Sequence, residues 1–370
     1  MTAKFNKALE GLVPYKAGPP MAEIRGRYGL DRVVELGANE CADGPFPEVI
    51  EALTASLTGL NRYPSGGCEE LRASLSDRLG VESGAMMFGN GSCDLLMLLG
   101  EAVLGPGVHM VYADPSFVVY ETIALARQAE FDAVPLRDHR HDLDAMKRAV
   151  REDTRLLIVC EPNNPSGTCV GAAALRDLME TVPPETLVVF DEAYTEYVSR
   201  PDLEDTVPWL RDYENLVILR TFSKIYGLAG LRIGYGVAHP SVIDAIDKVR
   251  QPYNVSTLAQ VAALEALRHP ERVAERRDHV AGERVRIGEL LTALGRPWVP
   301  SEANFMLVGV EGLPSAAAEV PNALLERGVL VRSGWGIGYP GWVRATVGTS
   351  EENDLFLGAL SDLAGEEGPT

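Results

Sequence analysis

Short apolar runs alternate with longer helical stretches along most of this chain. Each run is rich in Val, Ile or Leu and lies close to a turn or a polar residue. Continuous apolar runs are typical of strands buried on both faces, as in a mostly parallel sheet with helices on either side. Between about residues 48 and 265 these runs are residues 110–113, 156–160, 187–190, 216–219 and 233–237. We therefore predict an α/β fold with a mostly parallel central sheet flanked by helices.

The pattern changes after residue 256. A long, charged helical stretch continues to about residue 294 and contains only Pro270 as a possible breaker. Strand-like residues 304–308, a helix near 316–327 and strand-like residues 329–332 and 343–347 follow. This alternation predicts a second, smaller α+β domain.

Composition narrows the classes of partner. The chain has 370 residues, 46% hydrophobic content and a formal net charge of −19. An acidic surface repels nucleic-acid phosphates and anionic lipid headgroups, so we expect neither as a partner. No apolar run approaches the ~18 residues that a membrane helix needs, and none at the N-terminus has signal-peptide length. We therefore expect a soluble, cytoplasmic protein.

The cysteines and histidines do not suggest a metal centre. There are five cysteines, an odd number, and no CxxC pair. Such usage is typical of reduced thiols in a reducing compartment. The six histidines are scattered and none lies at ligand spacing to a cysteine, so we expect no bound metal.

One lysine has an unusual sequence setting. Lys224 follows the apolar run 216–219, with Thr221 and Ser223 just before it and Arg232 beyond a glycine-rich turn. Desolvation lowers the pKa of a lysine amine and makes it a nucleophile toward carbonyls. Two hydroxyls and an arginine are suited to binding a phosphate beside such a lysine. A Ser-Lys pair alone is usually a surface loop, so this interpretation depends on the whole set.

Three further segments carry candidate chemistry. Asp191 directly follows an apolar run, where a carboxylate can keep the pyridinium nitrogen of pyridoxal 5'-phosphate (PLP) protonated, and Tyr194 comes three residues later. Tyr194 can hydrogen-bond the phenolic oxygen of the PLP ring. Asn164, which lies in a turn with two prolines and a glycine, can donate to the same oxygen. Ser92 and Cys93 follow glycine-rich backbone at a helix start, which suits a phosphate. Each segment alone also fits a helix cap or a turn. Because ligands collect at the carboxyl ends of strands in open α/β sheets, we interpret the four segments as one site.

Together these motifs resemble a known family. The set Asn-Pro-Ser-Gly, Asp-Glu-Ala-Tyr and Ser-Lys…Gly-Leu-Arg is similar to that of fold-type I PLP-dependent aminotransferases, and within them to the histidinol-phosphate aminotransferase family. The resemblance spans nearly the whole chain and includes Asn61-Arg-Tyr63-Pro64, Asp114-Pro-Ser-Phe117-Val-Val-Tyr120 and Val343-Arg344-Ala-Thr. It implies PLP as the cofactor and amino-group transfer as the reaction.

The resemblance also implies roles for individual residues. Lys224 would hold the cofactor covalently and move the proton, with Asp191 and Tyr194 as the other catalytic residues. The implied cofactor contacts are Ser92, Cys93, Phe117, Asn164, Asp191, Tyr194, Ser223, Lys224, Arg232 and, from a neighbouring subunit, Tyr63. The implied substrate contacts are Tyr15, Asn39, Arg332 and Arg344.

The implied architecture has two domains. Residues 1–44 would form an N-terminal arm and part of a small domain, residues 45–265 the large PLP-binding domain, and residues 266–370 the small C-terminal domain. Because Tyr63 would act from the neighbouring subunit, the resemblance also implies a homodimer.

The substrate is less sharply indicated than the cofactor. Arg332, Arg344 and Tyr15 favour a histidinol-phosphate:2-oxoglutarate aminotransferase of histidine biosynthesis, because a phosphate benefits from two cationic donors. Phe117 and its apolar neighbours would suit an aromatic aminotransferase acting on phenylalanine. A threonine-phosphate decarboxylase would use the same scaffold to release carbon dioxide. A PLP-binding protein without turnover is disfavoured by the intact lysine, aspartate and asparagine.

Overall fold

A computed structural model of the chain describes residues 5, 7–12, 14, 18, 20–313 and 316–365. Its strands, in chain order, are β1 (Val34–Leu36), β2 (Met86–Gly89), β3 (His109–Asp114), β4 (Glu130–Pro135), β5 (Thr154–Cys160), β6 (Leu187–Asp191), β7 (Leu216–Thr221), β8 (Gly234–Ala238), β9 (Trp298–Val299), β10 (Phe305–Gly309), β11 (Val329–Ser333) and β12 (Trp342–Thr346).

The α-helices, in chain order, are α1 (Met21–Tyr28), α2 (Pro47–Ser56), α3 (Glu69–Leu79), α4 (Ser92–Val103), α5 (Val119–Arg127), α6 (Leu143–Ala149), α7 (Ala172–Thr181), α8 (Pro240–Val249), α9 (Thr257–Ala266), α10 (Pro270–Ala293), α11 (Val320–Glu326) and α12 (Ser350–Gly365). No helix within the described residues is both long enough and apolar enough to span a membrane.

The larger sheet has seven strands in the order β2-β8-β7-β6-β5-β3-β4. Its pairs are parallel except that β8 runs antiparallel to both β2 and β7. Successive residues of β5 point to opposite faces, as strand geometry requires. Leu156 and Ile158 pack in the core that includes helices α4, α5 and α8, whereas Leu157 and Val159 pack in the core that includes α6 and α7. This two-sided burial explains why the sequence shows continuous apolar runs, and it confirms the predicted α/β fold.

The smaller sheet has five strands in the order β1-β11-β12-β10-β9. The N-terminal strand β1 pairs in parallel with β11, with Val34 opposite Val329, and the remaining pairs are antiparallel. The chain that leaves β1 therefore starts its path toward the larger sheet from beside β11 and β12. This position brings Ala38 and Asn39 into contact with Lys224 and Tyr194, which follow β7 and β6.

Two predicted helices differ from those in the structure. The helical stretch expected over residues 256–294, with Pro270 as its possible breaker, is two helices. Ser256 caps α9 by accepting a hydrogen bond from the Ala259 amide, and Pro270 starts α10. Proline is tolerated in a first helical turn but not inside a helix, so the chain breaks after α9. The helix expected near 316–327 shortens to α11, where Pro321 again occupies the first turn.

Candidate active site

A cavity of about 410 Å³ lies where the carboxyl ends of β5, β6 and β7 face the smaller sheet. Most of the predicted site residues line it, although they are far apart in sequence. They are Asn39, Ser92, Cys93, Phe117, Asn164, Asp191, Tyr194, Ser223, Lys224, Arg232, Arg332 and Arg344. The cavity is therefore built from both sheets and from the segment that follows β1.

Two predicted residues are not part of this lining. Tyr63 is 81% exposed and stacks on Tyr253, with ring centroids 4.7 Å apart. Exposure within one chain is what a residue acting on a neighbouring subunit needs, and its predicted role stays a prediction. Tyr15 lies outside the described residues.

Lys224 lies in the loop that follows β7. Its Nζ is 3.5 Å from the Ala38 carbonyl oxygen and 5.6 Å from the centroid of the Tyr194 ring. Burial, reinforced by the positive charge of Arg344, lowers the pKa of Lys224 to about 8. Arg276 stabilises this loop by donating to the Ile225 carbonyl over 2.7 Å. The geometry thus presents a lysine amine that is neutral in a sizeable fraction near physiological pH.

Asp191 ends strand β6 and is 2% exposed. Its Oδ2 accepts a hydrogen bond of 2.8 Å from the Tyr120 hydroxyl. Its Oδ1 is buried, and no donor in the described part of the chain reaches it. Burial raises the pKa of Asp191 to about 6, although the hydrogen bond from Tyr120 opposes this rise. A buried carboxylate oxygen with no partner is suited to a protonated ring nitrogen of a ligand.

The Tyr194 hydroxyl lies at the centre of a hydrogen-bond network. Asn39 Nδ2 and Asn164 Nδ2 donate to it over 3.1 and 3.3 Å. Arg344 donates from Nη1 to Asn164 Oδ1 over 2.6 Å and from Nη2 to the Gly37 carbonyl over 2.7 Å. The smaller sheet therefore fixes the orientation of Asn164, through an arginine on β12.

Groups that can bind an anion meet at the start of α4 and form a cradle there. Gly91 has a φ of 80°, which turns the backbone into the helix at Ser92. Arg232 donates from Nη1 to Ser223 Oγ over 3.4 Å and from Nη2 to the Asn90 carbonyl over 3.2 Å. Amide groups at the N-terminus of a 12-residue helix, together with a hydroxyl and a guanidinium, form a strong anion site.

Some contacts of this site were not predicted from the sequence. Tyr120 was noted only as part of a motif, yet it is fully buried against Asp191. Asn39, predicted as a substrate contact, lines the cavity, and its side-chain amide also donates to Tyr194, which the sequence did not predict. A contact between residues 155 positions apart has no signal in a single sequence. Tyr120 could have been suspected because it comes three residues after Phe117 at a helix start, but its partner could not.

The chain is similar to known aminotransferases along nearly its whole length. The model of the family described as aminotransferase class I and II matches residues 31–360. The histidinol-phosphate aminotransferase of Halalkalibacterium halodurans is 42% identical over 364 residues, which cover 98% of each chain. The crystal structure of histidinol-phosphate aminotransferase from Sinorhizobium meliloti in complex with pyridoxal-5'-phosphate has a TM-score of 0.89 at 28% identity, covering 98% of both chains. The L-threonine-O-3-phosphate decarboxylase of Porphyromonas gingivalis has a TM-score of 0.80 at 26% identity, covering 90% of this chain and 100% of the other.

Proposed function

The chain belongs to the class I and II aminotransferases, and from this premise we propose that it transfers the amino group of L-histidinol phosphate to 2-oxoglutarate. The family implied by the sequence motifs is thereby confirmed. The observation that carries the substrate assignment is a pair of arginines at the cavity. Arg332 on β11 and Arg344 on β12 are directly opposite in the antiparallel register, and both line the cavity with Lys224.

PLP is the cofactor of this family, and the cavity fits it at both ends. At one end, Asp191 Oδ1 has no partner within the described residues and would accept from the pyridinium nitrogen. At the other end, the amides of Ser92 and Cys93, with Ser223 and Arg232, would hold the phosphate. When bound, PLP supplies an electron sink for the α-carbon of the amino donor.

Lys224 would carry out the covalent and proton-transfer work. With a pKa of about 8, roughly a tenth of its amines are neutral at pH 7, against far fewer for an ordinary lysine. A neutral amine can attack a carbonyl and later accept and return the substrate's α-proton at Nζ. Tyr194 and Asn164 would hold the phenolic oxygen of the cofactor, and Phe117, which lines the cavity, would stack on its ring.

The arginine pair would bind the acidic groups of both substrates. Arg344 Nη1 and Nη2 are oriented by Asn164 and Gly37, so the guanidinium plane is fixed before a ligand arrives. A fixed guanidinium binds a carboxylate or phosphate with two parallel hydrogen bonds. Arg332 would add the second cation that a phosphate needs, and Tyr15 and Asn39 are further substrate contacts in this proposal.

The proposal includes a homodimer. Tyr63 is exposed and stacked on Tyr253 at the surface of one chain, and in this arrangement it would reach the cofactor phosphate of the neighbouring subunit. Sedimentation equilibrium of the PLP-loaded enzyme tests this assembly, and a Tyr63→Phe variant tests the contact through its PLP affinity.

A threonine-phosphate decarboxylase remains the second candidate, because the decarboxylase of Porphyromonas gingivalis shares the fold over nearly the whole chain. The two reactions differ in which bond at the α-carbon is broken. Spectral titration of the PLP-loaded enzyme with L-histidinol phosphate, followed by 2-oxoglutarate, separates them.

Loss of the visible cofactor band with histidinol phosphate and its return with 2-oxoglutarate would support the aminotransferase. Carbon dioxide release from threonine phosphate without such a cycle would support the decarboxylase. A cycle with phenylalanine, and none with histidinol phosphate, would assign the enzyme to the aromatic aminotransferases.

A further inference from the structure

Tyr120 connects two of the proposed cofactor contacts without touching the cavity itself. It lies in the first turn of α5, is fully buried and donates its hydroxyl to Asp191 Oδ2 over 2.8 Å. Its ring also packs edge-on against Phe117, with centroids 5.8 Å apart and an interplanar angle of 84°. One side chain therefore braces both the carboxylate at the edge of the proposed cofactor and the aromatic ring on its face.

The Tyr120 hydroxyl donates to one of the two carboxylate oxygens of Asp191, Oδ2. The other oxygen, Oδ1, is buried and has no donor among the described residues. A carboxylate rotates about its last bond unless a hydrogen bond holds it, and a buried one without partners becomes protonated. The Tyr120 hydrogen bond thus fixes Oδ2 and leaves Oδ1 available to a ligand.

We propose that Tyr120 is a positioning residue for the reaction: its hydroxyl holds Oδ2 of Asp191 so that the carboxylate stays ionised and leaves Oδ1 for the pyridinium nitrogen. The proposal rests on the PLP-dependent function proposed above. Tyr120 does not line the cavity, so its hydroxyl would act only through Asp191, while the packing of its ring on Phe117 is kept in a phenylalanine variant.

The groups around Asp191 show how this hydrogen bond affects the pKa of the carboxyl. Burial raises the pKa of the carboxyl, and the Tyr120 hydroxyl is the strongest of the groups that lower it. The backbone amide of Ala193 and the charge of Lys224 also lower it, whereas Glu192 raises it. The titratable and charged groups around Asp191 are Tyr120, Glu192, Lys224, Cys93, Cys160 and Tyr194. Among them Tyr120 supplies a donor that stays protonated, because burial raises its own pKa well above the ordinary value.

The test compares Tyr120→Phe with Tyr112→Phe in the PLP-loaded enzyme. Tyr112 is a matched control because it is also buried and its ring packs against Tyr120, at 6.2 Å between centroids, without a hydrogen bond to Asp191. Reconstitution with PLP labelled with ¹⁵N in the ring reports pyridine protonation through the ¹⁵N chemical shift. Titration of each apoenzyme with PLP gives the affinity.

We expect Tyr120→Phe to shift the ¹⁵N signal toward the unprotonated form and to weaken PLP binding ~10- to 100-fold, the usual consequence of removing a hydrogen bond to a buried charge. Tyr112→Phe should leave both readouts unchanged. In an Asp191→Asn background the Tyr120→Phe change should add nothing, because Tyr120 acts through that carboxylate.

A protonated pyridine nitrogen and wild-type affinity in Tyr120→Phe would overturn the inference and leave the proposed function intact. Equal weakening by both phenylalanine variants with no ¹⁵N shift would also overturn it, since the effect would then be packing. Failure of the unmodified enzyme to bind PLP at all would overturn the proposed function and this inference with it.

Discussion

Replacing Gly234 by alanine should weaken cofactor binding, because the added methyl group would meet backbone rather than a side chain. An ideal Cβ at this position lies 2.6 Å from the Ser92 nitrogen and 2.7 Å from the Gly91 carbonyl carbon. Ordinary contact begins at about 3.4 Å, so either the turn that opens α4 or strand β8 must move by about 0.8 Å. That turn is the proposed phosphate cradle.

The expected size of the effect follows from the strain of overpacking. Inserting a methyl group into a close-packed site costs about 1–3 kcal/mol. If the turn at Gly91 absorbs this strain, the PLP dissociation constant rises ~10- to 100-fold. Fluorescence titration of the apoenzyme with PLP measures it directly.

Gly236 provides the matched control, because it lies two residues along the same strand and on the same face. An alanine there would meet the flexible side chain of Met87 at 2.4 Å and that of Leu219 at 2.9 Å, neither of which is a residue of the cradle. We expect Gly236→Ala to lower thermal stability with little change in PLP affinity. Equal PLP affinity in the Gly234→Ala and Gly236→Ala variants would refute the prediction that this strain reaches the proposed phosphate cradle.

Three further predictions follow from the charges of the site and its surroundings. Because the folded-state pKa of Lys224 is lowered from 10.5 to about 8, covalent capture of PLP by the apoenzyme, trapped with borohydride, should rise as pH increases through about 8 and not only near 10.5. Arg332→Gln should raise KM for histidinol phosphate ~10- to 100-fold by removing a charge-assisted hydrogen bond; an equal effect with unphosphorylated histidinol in steady-state assays would contradict the phosphate role. Arg220 donates to Glu192 over 2.8 Å, and both side chains are buried. Arg220→Ala should leave the Glu192 carboxylate buried without this cation and lower the free energy of unfolding by about 3–5 kcal/mol. Urea unfolding measures that loss, and a change below ~1 kcal/mol would show that the ion pair is solvated.

Much of the large sheet could be predicted because its strands carry their own signal. The runs 156–160 and 216–219 are apolar at every position, since helices cover both faces, and the structure has strands there. The break between α9 and α10 was predicted less well. Pro270 marked the place, but a proline in the first turn and a cap at Ser256 are equally compatible with one kinked helix until the packing is known.

The candidate site, too, could be predicted only in part from the sequence. Lys224 and Asn164 follow strands and Asp191 ends one, so their positions after apolar runs suggested a common edge, and all three line the cavity. The partners of these residues come from contacts over long sequence separations, such as Asn39 with Tyr194 and Arg344 with Asn164. Side-chain geometry decides such contacts, and a single sequence does not encode it in any local pattern.

Amino-group transfer through Lys224 can be tested by following the nitrogen atom itself. The enzyme would be incubated with L-histidinol phosphate labelled with ¹⁵N at its amino group and with 2-oxoglutarate, and the products analysed by mass spectrometry. We expect the unmodified enzyme to form ¹⁵N-glutamate in an amount equal to the keto product, and the Lys224→Ala variant to form none. Turnover of histidinol phosphate without label in glutamate, or undiminished transfer by Lys224→Ala, would contradict the assignment of an aminotransferase that works through this lysine.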